Sequence, residues 1–340
     1  MKYIARLLTL LLLLTALTSA CAEAPLAVWP WDSGEPAPNQ IVRAGRWWYA
    51  SMGNYGSPSA SLAIGPSPDA LTTVYTSQGY IWGRLHATET HAAWVEEKDG
   101  VLSWMVHERE TGVTTVVHTE ALEDGRPCFS IALNGALWYV RVRNGRSELV
   151  RLRLSDDSSL FTSREAVLPT PEDAIITSLS LNDHSELTIA CELPEGWRLI
   201  RLNILGEEVA RDALPEEVTM VFCAGYVFED RAYALYYATE DAAEMIGFCQ
   251  QRRLSPVMSL SPHTYAYQDY VTLTEDHLIC TLKTDRTGAV ADNFITLDVD
   301  LVTREVAEHK GAISFTVDGD RLMLLTLDPE NDRILLNQVR

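Results

Sequence analysis

One spacing constrains the fold of this chain more than any other feature. At seven points a turn-prone or charged residue is followed directly by an apolar, strand-like run, and these points are separated by 45, 45, 50, 45, 46 and 44 residues. Only the pattern repeats, without sequence identity between the units. A period of about 40 to 50 residues is typical of repeat architectures such as propellers. The apolar runs begin at Trp47, Ala92, Leu137, Leu187, Ala232, Leu278 and Leu322.

Each period contains signals for four strands. An apolar run and a tight-turn signal precede the repeated point, as in 267–273 followed by Glu275-Asp276. An alternating third run follows, as in 149–154, and then a shorter polar one, as in 302–306. The sequence therefore predicts an all-β fold, a seven-bladed β-propeller of four-stranded antiparallel blades over residues 40–340. Two β-sandwich domains are the alternative, and only 240–246 has a helical rhythm.

The last period ends after three strand signals, so another segment is needed to complete its sheet. We expect residues 26–29 to supply that strand, with a length limited by Pro25 and Pro30. Residues 32–39 are rich in Pro, Gly and Ser and predict a surface connection or part of a tether. Residues 21–39 are thus expected to form a tether with a ring-closing strand.

The first twenty residues have the organisation of a signal peptide. Lys2 and Arg6 precede the apolar run 7–14, and small residues lead to Cys21. The apolar run is too short to span a bilayer, which needs about 20 apolar residues. Residues 17–21 resemble a bacterial lipobox, although Thr18 occupies the usual leucine position. This resemblance implies lipidation of Cys21 and anchoring at the outer face of the cell membrane; ordinary cleavage near Ala20, with secretion, is the alternative.

Charge narrows the range of partners. The chain has 27 basic and 47 acidic residues, a formal charge of −20. Nucleic-acid binding depends on Lys and Arg that neutralise phosphates, so nucleic acid is excluded as an expected partner. The same acidity repels anionic lipid headgroups, and membrane attachment is therefore expected through the N-terminal lipid alone.

The cysteines and metal-type residues give no catalytic or metal motif. Five cysteines remain after Cys21, an odd number without C-x-x-C spacing, and each lies in an apolar run. They are expected to be buried and free rather than disulfide-bonded. The histidines are scattered and the acidic segments 328–332 and 239–241 lack the spacing of a calcium loop, so no metal or cofactor is expected. G-x-S-x-G, H-E-x-x-H and phosphate-loop motifs are missing.

Aromatic residues are the most suggestive candidates for a binding surface. Trp48, Trp94, Trp138 and Tyr236 fall in mid-strand and are expected in the core between blades. A second set falls near strand ends, where loops of one propeller face would gather them, although packing between blades is the alternative for each. This candidate binding face consists of Tyr55, Tyr80, Trp82, Trp197, Tyr265 and Tyr267.

The lipobox-like start together with seven blade-length repeats resembles bacterial propeller lipoproteins of the broad TolB-like kind. The resemblance covers nearly the whole chain and is one of pattern, without a family-specific motif or a catalytic residue to carry over. It implies a membrane-anchored binding or assembly module whose partner is a protein, a peptide or a glycan. The alternative is a propeller enzyme, a glycan lyase or glycoside hydrolase with its acid and base on different blades.

Overall fold

The computed structural model describes residues 24–31, 36–53, 60–77, 79–121, 131–143, 146–154, 161–169, 174–182, 184–227, 231–240, 244–260, 264–274, 276–284 and 293–340. These residues form seven four-stranded antiparallel sheets arranged as the blades of a β-propeller. The repeated points found in the sequence all fall on the first or second residue of the second strand of a blade. The fold prediction is confirmed, and the two-sandwich alternative is wrong.

The strands are numbered β1 to β28 along the chain. Blades 1 to 4 comprise β2 (Ala37–Ala44), β3 (Trp47–Gly53), β4 (Ala60–Gly65), β5 (Thr72–Thr76); β6 (Tyr80–Ala87), β7 (His91–Lys98), β8 (Val101–Glu108), β9 (Val113–Ala121); β10 (Ile131–Leu133), β11 (Ala136–Arg143), β12 (Arg146–Leu154), β13 (Phe161–Pro169); β14 (Ile175–Leu181), β15 (Leu187–Leu193), β16 (Gly196–Leu202), β17 (Glu208–Ala213). Blades 5 to 7 comprise β18 (Val218–Val227), β19 (Ala232–Thr239), β20 (Glu244–Gln250), β21 (Arg253–Ser259); β22 (Thr264–Leu273), β23 (His277–Thr284), β24 (Phe294–Asp300), β25 (Val306–Lys310); β26 (Ala312–Asp318), β27 (Arg321–Asp328), β28 (Arg333–Gln338) and β1 (Ala27–Pro30).

Blade 7 is completed by the N-terminal strand. β1 pairs antiparallel with β28, with Ala27 opposite Leu336 and Pro30 opposite Arg333. The pairing extends one residue further, because the Leu26 amide donates to the Leu336 carbonyl at 2.7 Å. Blade 1 starts at Ala37, so the end of the Pro- and Gly-rich connection already belongs to its first strand. The N-terminal strand thereby covers the edge of β28 and gives the last blade its fourth strand.

Apolar side chains are concentrated between the blades. The described residues contain seven buried hydrophobic clusters, and each one lies at a different junction between neighbouring blades. Trp48, Trp94, Trp138 and Tyr236 are 6%, 0%, 1% and 1% exposed, which confirms their assignment to the core. Each sheet therefore buries both faces only when its neighbours are in place, as expected of a propeller.

The predicted helical segment and the predicted buried cysteines can both be compared with the structure. Glu244 to Ile246, part of the segment with a helical rhythm, lie in strand β20, so the helix prediction is wrong. Their pairing with β19 and β21 in the middle of blade 5 overrides the local periodicity. Four cysteines, Cys191, Cys223, Cys249 and Cys280, are free and buried as predicted. Cys128 lies outside the described residues.

Candidate functional site

The predicted binding-face residues are only partly located by the structure. Tyr80 and Trp82 lie near the start of β6, and Tyr265 and Tyr267 near the start of β22. These are the innermost strands of blades 2 and 6, at the ends that follow the loops between blades. The positions of the four side chains and all of Tyr55 lie outside the described part of the chain. Their role in binding stays a prediction.

Trp197 is a correction to that prediction. Its side chain is 4% exposed and belongs to the apolar cluster between blades 4 and 5, with Leu214 and Val218. The chain reverses at the turn formed by Pro194 and Glu195, immediately before β16. The Trp197 side chain then packs into the junction between blades 4 and 5. The Trp197 carbonyl also accepts the Leu214 amide at 3.1 Å. Trp197 is a core residue and cannot serve as an exposed anchor.

The predicted lipidation site, Cys21, lies outside the described residues. Among those that are described, the structure contains no helix long and apolar enough to cross a membrane.

The same junction between blades 4 and 5 carries a cleft of about 300 Å³. Blade 4 contributes the end of β16, half of β17 and Leu214, and blade 5 contributes the ends of β18 and β20, the start of β19 and two turns. The cleft is lined by Arg201, Ala210, Asp212, Ala213, Leu214, Tyr226, Arg231, Tyr233, Cys249, Gln251 and Arg252. Its volume is at the lower end for small-ligand sites, which are usually about 300 to 1,000 Å³.

Arg201 forms one wall of the cleft and joins the two blades. Its guanidinium carbon lies 3.6 Å from the centre of the Tyr226 ring, a cation–π contact between blade 4 and blade 5. Its Nη1 pairs with Glu186 Oε2 at 3.3 Å. Its Nε is buried and has no acceptor among the described residues. A buried charged donor without a partner costs free energy.

Tyr233 and Asp212 form the second polar element. The Tyr233 hydroxyl donates to Asp212 Oδ2, which links β19 of blade 5 to β17 of blade 4. Burial, together with this hydrogen bond to a carboxylate, holds the pKa of Tyr233 well above its usual range. Tyr226 packs edge-on against Tyr233 with ring centres 5.1 Å apart. The two rings are therefore fixed in place before any ligand arrives.

The turns of blade 5 place exposed polar side chains over the cleft. Arg231 lies directly before β19, and Gln251 and Arg252 form the turn between β20 and β21. All three adopt left-handed backbone conformations, with φ of 50°, 50° and 62°. Such conformations cost non-glycine residues about 1 kcal/mol each and tend to occur at functional sites. Neither Arg231 nor Arg252 forms an ion pair with any residue that the structure describes.

The charged turns that line the cleft lie on the opposite face from the one predicted. In an antiparallel four-stranded blade, the turns between strands one and two and between three and four share one end. Arg231, Gln251 and Arg252 belong to these turns. The predicted face carries the other turns and the loops between blades. One strand of blade 4 and two separate turns of blade 5 supply the arginines, and no local signal in the sequence marks them as one group.

Two other polar clusters in the described chain contain ion pairs between their own side chains. In blade 6, His277 Nδ1 lies 2.6 Å from Asp298 Oδ1, and Arg340 Nε lies 3.5 Å from Asp298 Oδ2. In the acidic turn after β27, Asp328 pairs with Arg333 at 2.8 Å and accepts from Asn331. No group of three or more His, Cys, Asp or Glu suited to a metal ion is found among the described residues.

No protein-family model matches the sequence, and no curated protein matches it either. The fold does match solved structures. The β-propeller domain of the Trilobed protease from Pyrococcus furiosus superposes with a TM-score of 0.52 at 10% identity, over 90% of this chain and 98% of that one. That propeller has an open velcro topology, whereas here β1 completes blade 7.

Two further structures are similar to the same degree. A chain of Kuenenia stuttgartiensis hydrazine synthase gives a TM-score of 0.54 at 9% identity, covering 91% of this chain and 96% of that one. A prolyl endopeptidase gives 0.53 at 15% identity, covering 88% of this chain but 48% of the other. At such identities the likeness establishes the propeller fold alone, and this fold carries many unrelated functions.

Proposed function

We propose that this chain is an exported bacterial lipoprotein of the TolB-like propeller kind that acts as a binding module and not as an enzyme. Its N-terminal lipid on Cys21 holds the ring at the outer face of a membrane, and the cleft between blades 4 and 5 receives the partner. The signal-like first twenty residues and the lipobox-like Cys21 support the location. The propeller fold supports the role of a rigid binding scaffold.

The observation that carries the binding role is the composition of the cleft. Among the residues that the structure describes, three arginines and two fixed tyrosines line it, a combination enriched at recognition surfaces. Arginine stays protonated and so cannot serve as a general base. Aromatic rings and guanidinium groups that are held before binding reduce the entropy lost on association. The arrangement thus favours recognition of a ligand.

The groups in the cleft that could do chemistry are poorly prepared for it. Burial raises the pKa of the Cys249 thiol, which disfavours the reactive thiolate. The pKa of Tyr233 is raised as well, so its hydroxyl is a weak acid at neutral pH. Asp212, the one carboxylate in the described lining, already accepts a hydrogen bond from the Tyr233 hydroxyl. Glycoside hydrolysis needs two carboxyl groups about 5 to 9 Å apart, and the described lining offers one.

The anchor is tested by cell fractionation. Cys21→Ser should move the protein from the membrane to the soluble exported fraction, because it removes the acceptor of the acyl chains. Thr18→Leu is the matched control: it restores the usual lipobox residue and should leave membrane retention unchanged. Retention of the Cys21→Ser protein on the membrane would overturn the lipoprotein proposal.

The binding role is tested by site-specific photo-crosslinking in the producing cell. A photoreactive residue at Gln251, on the rim of the cleft, should give one saturable adduct. The same residue at Glu195, an exposed turn position on the opposite face, should give none. The adduct at 251 should also disappear when Arg231 and Arg252 are both replaced by Gln. Equal adducts at both positions, or none at 251, would contradict the assignment of the cleft.

A further inference from the structure

We infer that the cleft binds the carboxylate of an acidic peptide side chain. This inference rests on the proposed binding function and specifies its ligand. In a chain with a formal charge of −20, the described lining contains three guanidinium groups and one carboxylate. Arg201 also pairs with Glu186, so these five groups together keep a positive charge. The cleft is therefore a local cationic site on an acidic protein, which favours a negatively charged ligand group.

The arginines come from separate elements of the two blades. Arg201 lies near the end of β16 in blade 4, while Arg231 and Arg252 lie in two separate turns of blade 5. Guanidinium groups bind carboxylates through paired, charge-assisted hydrogen bonds, which are about twice as strong as neutral ones. The Tyr226 ring holds the Arg201 guanidinium plane in place, so this donor is oriented before the ligand enters.

The rest of the lining favours a peptide side chain over a sugar. Ala210, Ala213, Leu214 and Cys249 give the cleft an apolar wall, against which the methylenes of a glutamate can pack. An acidic sugar would turn hydroxyl groups toward this wall, where each would lose its hydrogen bonds to water. The volume of about 300 Å³ is also small, matching one side chain with its flanking backbone.

The inference is tested by calorimetric titration of the full chain in detergent micelles. The probe is acetyl-Gly-Glu-Glu-Gly-amide, and its matched control is the same peptide with Gln in place of both Glu residues. We expect the acidic peptide to bind at least tenfold more tightly than the neutral one. Arg252→Gln and Arg231→Gln should each weaken binding of the acidic peptide at least fivefold, because each removes one charge from an exposed turn without changing the core.

Arg109→Gln is the control variant. Arg109 also stacks on an aromatic ring of a neighbouring blade, at 4.4 Å from the centre of Trp47, but it lies outside the cleft. It should leave binding of the acidic peptide unchanged. Circular dichroism melting of each variant verifies that the compared proteins are folded.

Several results would overturn the inference. Equal affinity for the Glu and Gln peptides would show that charge is not recognised. Tighter binding of a galacturonate tetramer than of the peptide would assign the site to acidic glycans, and equal affinity for inorganic phosphate would reduce it to a nonspecific anion site. If no probe binds while the crosslink at position 251 persists, the ligand class is wrong and the binding function stands. Loss of both overturns the binding function itself.

Discussion

An arginine stacks on an aromatic ring both at the junction between blades 1 and 2 and at the junction between blades 4 and 5, but the two arginines differ in their hydrogen bonds. In the first, Arg109 stacks on Trp47 and its Nε donates to the Glu89 carbonyl at 2.9 Å. In the second, Arg201 stacks on Tyr226 and lines a cleft, and its buried Nε has no acceptor among the described residues. The two arginine side chains are similarly shielded, at 18% and 16% exposed. The comparison indicates that the first junction satisfies its arginine with a carbonyl of the chain, whereas the second leaves an arginine beside a cleft with an unmet donor.

The turns next to the two junctions also differ, because one uses glycine and the other uses larger residues in the same backbone conformation. The turn between the third and fourth strands of blade 2 places Gly112 at a φ of 68°. The corresponding turn of blade 5 uses Gln251 and Arg252 in the left-handed region. Glycine adopts this conformation without a steric cost, so the turn in blade 5 gives up stability that blade 2 retains. The strained turn of blade 5 places the polar side chains of Gln251 and Arg252 over the cleft.

The largest effect is expected in the apolar layer beneath both junctions. Trp94→Ala and Trp197→Ala should each lower the free energy of unfolding by about 3 to 5 kcal/mol, since both rings are buried and leave a cavity. Leu205→Ala, at a side chain 55% exposed, should change it by less than about 0.5 kcal/mol. Urea denaturation measures all three. A Trp197→Ala effect as small as that of Leu205→Ala would restore Trp197 as a surface residue and remove the apolar layer from the cleft.

The second effect is a difference in alkaline stability between the junctions. Burial raises the pKa of Tyr49 to about 12, although nearby Arg109 lowers it, whereas burial and Asp212 both raise the pKa of Tyr233. The folded form keeps both hydroxyls protonated while the unfolded chain ionises near pH 10. Their stabilisation is thus complete below pH 10 and declines above it, by about 1.4 kcal/mol per pH unit for each group.

Absorbance titration near 295 nm measures the order in which the hydroxyl groups of Tyr49 and Tyr233 ionise. Tyr49→Phe should remove a transition near pH 12, and Tyr233→Phe should remove none below that pH because its folded-state pKa lies higher. Unfolding at pH 11 should also become less steeply pH-dependent in both variants. Ionisation of Tyr233 at or before that of Tyr49 would contradict the contact with Asp212.

The sequence predicts the features that depend on contacts within one blade, and it does not predict those that depend on contacts between blades. The spacing from Trp47 to Leu322 predicts seven blades because each turn and strand lies within one period. Trp197 is misassigned because a tryptophan next to a Pro-Glu-Gly turn looks exposed, and only the neighbouring blade shows that it is covered. Arg201 and Arg252 are 51 positions apart in the sequence, and nothing local to either of them predicts that they line one cleft.

A third effect concerns the two stacked arginines. Arg109→Ala and Arg201→Ala should each destabilise the fold by about 1 to 2 kcal/mol through loss of the cation–π contact and the packing of the side-chain stem. Only Arg201→Ala should also weaken binding of the acidic peptide. Thermal unfolding followed by titration separates the two properties. Equal loss of peptide binding in both variants would show that the two junctions do not differ in function.

The smallest effect is expected at the strained turn. Arg252→Gly should raise the free energy of unfolding by a few tenths to about 1 kcal/mol, because glycine relieves the left-handed backbone. The reverse change in blade 2, Gly112→Ala, should lower it by about 1 kcal/mol, and no atom within 4 Å of the added methyl group complicates the result. Denaturant titration measures both. A destabilised Arg252→Gly protein would mean that this turn is held by contacts of the arginine itself.

The central claim is that the junction between blades 4 and 5 binds an acidic group through Arg201, whereas the junction between blades 1 and 2 is closed by its own contacts. The most direct measurement follows the side-chain Nε–H resonances of Arg201 and Arg109 by nuclear magnetic resonance while the acetyl-Gly-Glu-Glu-Gly-amide peptide is added to the folded, isotope-labelled chain. Assignments come from the Arg201→Lys and Arg109→Lys proteins. The account predicts a saturable downfield shift of the Arg201 resonance, as its guanidinium group gains a carboxylate acceptor, with the Arg109 resonance unmoved. A stationary Arg201 resonance, or equal shifts at both arginines, would contradict it.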